Sequence, residues 1–292
     1  VDAGRHAFWE RERRRWPNHE LSRFVASGGL KWHVQQSGSG PPLLLVHGTG
    51  ASTHTWRDLW APFALTYTVI AVDLPGHAFT EAAPAARCSL SGMSAALAEL
   101  LATLVVRPSY CIGHSAGAAI LCRMALDRHI DPRLIVSLNG AFLPLGGAAG
   151  VVFSPIAKLF AANPLMARLI SWRGGEAAAV ERVLLGTGSR LDREGVELYA
   201  RLVREPSHIA GALAMMGNWN LQHFDRQLAH LETPLHLIAA ERDHAVPPAQ
   251  ALRIRERVPR AQLTQLTGLG HLAHEEAPRE VGSLLLRVLA AC

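Results

Sequence analysis

The chain has 292 residues, 49% of them hydrophobic and 18% charged, with a formal net charge of +5. This length suits one large α/β domain or two small ones, with enough apolar side chains for a sizeable core. The basic residues are nearly all Arg and lack an aromatic-interleaved stripe, so nucleic acid is not an expected partner; the charge permits an acidic ligand or anionic surface without requiring one.

Residues 1–20 read as a polar arm with a dense run, Arg11-Glu12-Arg13-Arg14-Arg15. Trp9 and Trp16 lie seven apart on one helical face, a spacing that predicts packing onto the arm's own domain over a membrane or partner contact. LKWHVQQ (30–36) alternates apolar and polar residues as a half-buried antiparallel strand does. The runs at 42–48, 67–74, 109–114, 134–140 and 235–241 are continuously apolar, as strands buried on both faces are, and AQLTQL (261–266) adds a further strand pattern. Helical patterns occupy 56–65, 89–105, 116–128, 248–258 and 277–290. Buried strands alternating with helices predict a mostly parallel sheet. Between about Phe142 and Gln222 the alternation stops. A flexible Pro144–Gly150 piece leads into helical segments at 155–171, 176–186, 192–204 and 207–218. The expected organisation is a core of residues 1–141 and 223–292 with a helical lid, 142–222, over the carboxyl ends of the strands.

No apolar h-region follows the charged N-terminus, and no 18-residue apolar run is present. Cys88, Cys111, Cys122 and Cys292 show neither CxxC nor ligand spacing. The expectation is a cytoplasmic protein with incidental thiols, no cofactor and no metal site.

CIGHSAGAA (111–119) carries the chemistry. A buried strand ends near Ile112, Gly-x-Ser-x-Gly follows, and a helix begins. A nucleophile on so sharp a turn needs small neighbours two residues away, which Gly113 and Gly117 supply. A close-packed turn with an idle Ser115 is the bland alternative. A serine hydroxyl needs a base. GLGHLAHEEAP (268–278) offers His271, and His274 reads as structural, in a first helical turn with Glu275 and Glu276. The orienting carboxylate is Asp243, at the tip of AAERDHAVP (239–247), ahead of Glu241, which should still lie on the strand. The expected oxyanion donors are the amides of Ala116 and of Thr49 in VHGTGAS (46–52), with His47 bracing that loop. Gly48, His114, Phe153 and Trp219 are the candidate substrate-binding residues.

With DLPGHAFT (73–80), these segments resemble the α/β-hydrolase superfamily across nearly the whole chain, in the chain order Ser, Asp, His. The resemblance implies an eight-stranded, mostly parallel sheet flanked by helices. Many members have Gly-His-Gly where this chain has Gly76-His77-Ala78, which makes a left-handed angle at Ala78 less comfortable. Some members take the triad acid from the position of Asn139, and an amide cannot do that work. More narrowly, WPNHELSRFVASGGLKWHVQQSGSGPPLLLVHGTGASTHTWRDL, IGHSAGAAILCRMALD, LNGAFLPLGG, FSPIAKLFAANP and GLGHLAHEEAP resemble the α/β-hydrolase-like magnesium-chelatase accessory proteins of bacteriochlorophyll biosynthesis. That resemblance implies a place in tetrapyrrole synthesis and a magnesium chelatase contact, and the two apolar faces and the Arg-rich arm permit peripheral binding to a photosynthetic membrane. Two functions follow as expectations: a serine hydrolase of an apolar ester or related carbonyl, and a non-catalytic porphyrin-binding or chelatase-accessory protein. His54, His208 and His223 are conceivable axial contacts to a porphyrin's central magnesium, but no metal site is assigned to them.

Overall fold

The computed structural model describes residues 3–144 and 164–292. Eight strands form one sheet: β1 (Ser22–Ser27), β2 (Leu30–Ser37), β3 (Pro42–Val46), β4 (Thr68–Val72), β5 (Tyr110–His114), β6 (Leu134–Leu138), β7 (Leu235–Ala240) and β8 (Ala261–Leu266). Their spatial order is β1-β2-β4-β3-β5-β6-β7-β8. The β1–β2 and β2–β4 pairs are antiparallel, and every other pair is parallel.

The apolar runs alternate between two cores. In β3, Leu44 and Val46 join one core while Leu43 and Leu45 join the other, and β4 divides Ile70 and Val72 from Val69 and Ala71 in the same way. Each fully buried Leu contributes about 1.5–3 kcal/mol relative to leaving it in water, so central strands with two apolar faces anchor the molecule. Helices α2 (Arg57–Ala64) and α12 (Pro278–Ala290) cover one face through Trp60, Phe63, Val281 and Leu285. Helices α3 (Leu90–Leu104), α4 (Ala116–Leu126) and α10 (Ala249–Arg257) cover the other through Met93, Leu97, Ile120 and Ile254.

Strand β1 was absent from the sequence expectation. SRFVAS is an edge strand with a half-exposed pattern, and it shows no long apolar run. The arm forms helix α1 (Ala3–Glu12) and packs on its own domain. Phe8 and Trp16 are fully buried with Phe79, and the Trp9 ring meets Phe24 and Phe79 edge-on.

Helices are inserted between β6 and β7. The described ones are α5 (Pro164–Gly174), α6 (Ala177–Gly186), α7 (Arg193–Val203), α8 (Pro206–Asn218) and the short α9 (Phe224–Leu228). Most of the segment expected as a helix at 155–171, and Phe153 with it, lies outside the described residues. Helix α8 lies against the 73–80 turn: Gly211 approaches Gly76 so closely that neither tolerates a Cβ. Among the described residues no helix is long and apolar enough to cross a membrane.

Candidate active site

Strand β5 ends at His114 and helix α4 begins at Ala116, leaving Ser115 between them at φ 51° and ψ −118°. A serine holds such a conformation only if its surroundings over-determine it. Here the Ser115 N–H donates to the Leu138 carbonyl (2.9 Å), and the Ser115 carbonyl accepts from Ala118 (3.2 Å) and Ala141 (3.1 Å). The flanking glycines are needed for space. A Cβ on Gly117 would collide with the Val46 carbonyl, and one on Gly113 would sit 2.5 Å from Ala118 N and Cα. Ala116 opens helix α4, so its amide has no intrahelical acceptor and stands at the positive end of the helix dipole.

The loops after β7 and β8 bring Asp243 and His271 together. His271 Nδ1 lies 2.7 Å from Asp243 Oδ2, and the Asp243 side chain is fully buried. The other carboxylate oxygen, Oδ1, accepts from the amides of Ala245 (2.9 Å) and Val246 (2.7 Å). With Asp243 ionised, Nδ1 of His271 carries the proton, and Nε2 is left as the basic nitrogen.

His114 joins the elbow to this pair. Its ring packs 4.7 Å, centroid to centroid, from both His271 and His274. Its Nε2–H donates to the His271 carbonyl at 3.0 Å. Asn139 Nδ2 donates to the same carbonyl at 2.8 Å. Burial, then the neighbouring His271 and His274, hold the His114 imidazole well below its ordinary pKa. A neutral ring there adds no positive charge beside the His271 imidazole.

The loop after β3 closes the other side. Gly48 is buried against the elbow; a Cβ there would sit 2.9 Å from Ser115 Cβ and 3.0 Å from His114 Nδ1. His47 Nε2 accepts from the Leu74 amide (2.9 Å), so its Nδ1–H donates to the Gly48 carbonyl (2.7 Å), which also accepts from Ala51 N (3.2 Å). A trans peptide carries its N–H on the edge opposite its carbonyl, so fixing Gly48 O fixes the direction of the Thr49 N–H. The Thr49 hydroxyl donates to Met215 Sδ of helix α8 at 3.5 Å.

The remaining expected residues are placed as follows. His114, expected to line substrate space, is buried and holds the backbone of His271. Trp219, at the end of α8, is half-buried and packs against the core that contains Phe142 and Met215. His274 lies in the short helix α11 (Ala273–Glu276), where its Nε2–H donates to Thr55 Oγ1, which donates in turn to Glu275. Glu241 accepts from Gly268 N at an exposed position. Ala78 does adopt a left-handed angle, φ 38°. Its amide donates to His208 Nδ1 (2.9 Å), and its carbonyl accepts from Arg5 (2.6 Å). His208 Nε2–H donates to the Gly50 carbonyl (3.2 Å), so both of its ring nitrogens are engaged by the protein. Among the described residues no group of three His, Cys, Asp or Glu is arranged to hold a metal ion.

Three features escaped the sequence reading. Asn139 cannot serve as an acid, but it holds the His271 carbonyl, and its place at a strand end is the available signal. Ser189 of the insertion accepts from the Leu272 amide (2.7 Å), and no sequence motif announces it. A second buried Asp–His pair, Asp73 Oδ2 with His33 Nδ1 (2.8 Å), continues from His33 Nε2 to Ser22 Oγ (2.9 Å). Ser22 opens the extended strand β1, with no sharp turn and no helix start behind it, so this chain ties the N-terminal hairpin to the 73–80 turn.

Parallel strands, a serine at a strand–helix elbow after β5, and a carboxylate and an imidazole on the loops after β7 and β8 together describe one class. The sequence matches the alpha/beta hydrolase family model over residues 43–283, and the chain belongs to that family. Within it, the sequence is 36% identical over 273 residues to the magnesium-chelatase 30 kDa subunit of Rhodobacter capsulatus, spanning 93% of this chain and 95% of that one. It is 30% identical over 266 residues to pyrrolizixenacetamide deacetylase of Xenorhabdus hominickii, spanning 86% and 91% of the two chains. A ligand-free epoxide hydrolase has the same fold, with a TM-score of 0.77, 21% identity and coverage of 92% of this chain and 98% of that one.

Proposed function

We propose that the protein is a serine-nucleophile hydrolase of an ester or related carbonyl on an apolar substrate. The observation that carries this reading is the buried His271–Asp243 hydrogen bond of 2.7 Å, beside a serine held at positive φ where a helix starts. Ser115 Oγ attacks the carbonyl carbon while His271 Nε2 takes its proton. Asp243 stabilises the imidazolium, and the amides of Thr49 and Ala116 hold the developing oxyanion. His271 then protonates the leaving group, which departs as the C–O bond breaks. Water, deprotonated by His271, attacks the acyl-enzyme and releases the acid and Ser115. The relative named as a deacetylase supports acyl chemistry on this scaffold. The test is labelling by a fluorophosphonate probe, with hydrolysis of a p-nitrophenyl ester series alongside. Labelling of the native protein and none of Ser115→Ala is expected; a native protein that reacts with neither reagent removes the reading.

A second reading has its own support. The relative at 36% identity is named as a magnesium-chelatase subunit. In this reading the protein works in bacteriochlorophyll synthesis, bound to the chelatase or to a tetrapyrrole and peripheral to the photosynthetic membrane, with the serine site secondary. The lid of residues 142–222 would then cover the tetrapyrrole. Fluorescence titration with protoporphyrin and Mg-protoporphyrin tests the binding. Flotation with anionic liposomes, with and without residues 1–16, tests the membrane contact. A Ser115→Ala strain that still accumulates bacteriochlorophyll would favour this second reading over the first.

A further inference from the structure

We propose that Ser189 is a positioning residue for the base, through which the helical insertion holds the imidazole of His271 in place. The inference rests on the reading of His271 as the base. It starts from the His271–Leu272 peptide. The carbonyl edge of that peptide is held by His114 Nε2–H (3.0 Å) and Asn139 Nδ2–H (2.8 Å). The opposite edge, the Leu272 N–H, donates to Ser189 Oγ at 2.7 Å. A trans peptide held at both edges has little freedom to rotate, and that rotation would swing the His271 side chain. Two of the three restraints come from the core, and the third comes from the segment joining α6 to α7.

That segment is rigid and fitted to the site. Ser189 is fully buried. The amides of Thr187 (3.0 Å) and Ser189 (3.3 Å) both donate to the Leu184 carbonyl, and the Gly188 amide donates to Leu185 (3.0 Å), so the turn is closed against the end of α6. Gly188 sits at φ +89°, and a Cβ there would strike the Arg242 carbonyl. The turn also reaches the acid's loop, since His244 N–H donates to the Thr187 carbonyl at 3.1 Å. Glu276 bridges the two segments: its carboxylate accepts from Arg190 N (3.1 Å) and Gly270 N (2.8 Å). One turn therefore contacts the residue after Asp243 and the residue after His271. An insertion that only covered the site would not need these bonds.

Ser189→Ala removes one acceptor and leaves the Leu272 amide buried without a partner. Because an imidazole displaced by about 1 Å can lower turnover by up to a hundredfold, kcat on p-nitrophenyl acetate should fall about ten- to hundredfold with KM within about twofold. Ser189→Thr, which retains the hydroxyl, should restore most of the loss. Leu289→Ala, a core substitution near the end of α12 in a different cluster from Leu272, controls for loss of stability. The second readout is the downfield proton resonance of His271 Nδ1–H, assigned by its absence in His271→Ala. It should broaden or shift in Ser189→Ala and persist in Ser189→Thr and Leu289→Ala. Unchanged kcat and resonance in Ser189→Ala would overturn the proposal, as would a Leu289→Ala variant showing the same changes. If the native protein cleaves no ester, the hydrolase reading fails while the resonance still decides the role of Ser189.

Discussion

Asn139 joins two neighbouring strand ends to the backbone of His271: its amide nitrogen donates to the His271 carbonyl at 2.8 Å, and its amide oxygen accepts from Ala240 N at 2.8 Å. It sits at φ 47°, a conformation Asn tolerates better than most residues. Replacing it with Asp keeps the shape and the backbone tolerance but turns the donor edge into an acceptor facing the carbonyls of Gly270 and His271. Asn139→Asp should cost about 1–3 kcal/mol of stability, the usual penalty for an unsatisfied buried polar group. It should also slow labelling of Ser115 by a fluorophosphonate. Denaturant melts and labelling rates check both, and a variant that matches the native protein in the two assays contradicts the role given to Asn139.

Asp243→Asn tests the carboxylate. An amide can still accept from Ala245 and Val246 through its oxygen, but its NH2 then faces His271 Nδ1. The imidazole must turn to the other tautomer, with Nε2 protonated and unable to act as a base. If the proposed hydrolase reading holds, the expected loss in kcat is about 10³–10⁴-fold with little change in KM, the effect of this substitution in a Ser–His–Asp enzyme. Steady-state kinetics on an activated ester measures this, and a loss confined to KM would argue against Asp243 as the orienting acid.

Acid should unfold the protein early. His47, His54, His77, His114, His208 and His274 are all held below the ordinary imidazole pKa, with burial as the largest cause, and His208 and His274 are pushed down to about 3. A ring neutral in the fold but protonated when unfolded makes the unfolded state bind more protons, so stability falls as pH drops below about 6.5. Each ring that stays neutral in the fold costs on the order of 1 kcal/mol for every pH unit below that, so several together are comparable with the whole stability of a domain.

Asp73 acts in a lower window. Burial raises its carboxyl pKa, but His33 and the Thr53 amide outweigh that and hold it at about 2. Its contribution is complete above its unfolded pKa near 3.8 and is lost as pH falls toward 2. Thermal melts from pH 8 to 4 should therefore show a decline that begins near 6.5 and continues to the acid end of the range. A midpoint constant down to pH 4.5 would show that these rings do not stay neutral in the fold.

The Arg5 guanidinium supplies the fourth test. It is buried and donates to the carbonyls of Ala78 (2.6 Å), Gly76 (2.8 Å) and Ser207 (2.9 Å). Arg5→Ala leaves the Ala78 and Gly76 carbonyls without this donor and should cost about 2–5 kcal/mol, at about 1–3 kcal/mol for each buried polar group left unsatisfied. Arg5→Lys should recover only part of this, because an ammonium cannot reproduce the planar fork. Equal melting temperatures for Arg5→Ala and the native protein would show that the arm is not clamped.

The parallel sheet was legible because strands with two buried faces leave continuous apolar runs: Pro42–Val46 and Leu235–Ala240 fall inside the expected segments. Ser22–Ser27 was not legible, since an edge strand with one exposed face carries little hydrophobic signal. Ser115 and Asp243 stand out as candidates because each follows a buried strand, and His271 because it follows the strand pattern AQLTQL in a loop flanked by glycine. Asn139 and Ser189 act through backbone groups of a distant loop, and such pairings leave no local pattern. At Ala78 the sequence warned of strain, and the structure supplies the restraint in Arg5 and His208, from the two segments hardest to place by motif.

The clamp made by Arg5 joins atoms 202 residues apart in the chain. During synthesis the first helix leaves the ribosome long before helix α8 exists. Until then Phe8 and Trp16 lack part of their final packing, which includes Leu198 and Leu202 of helix α7. The arm is therefore made well before the helices it docks on, and a nascent chain halted before residue 198 presents a sticky aromatic face to whatever chaperone meets it.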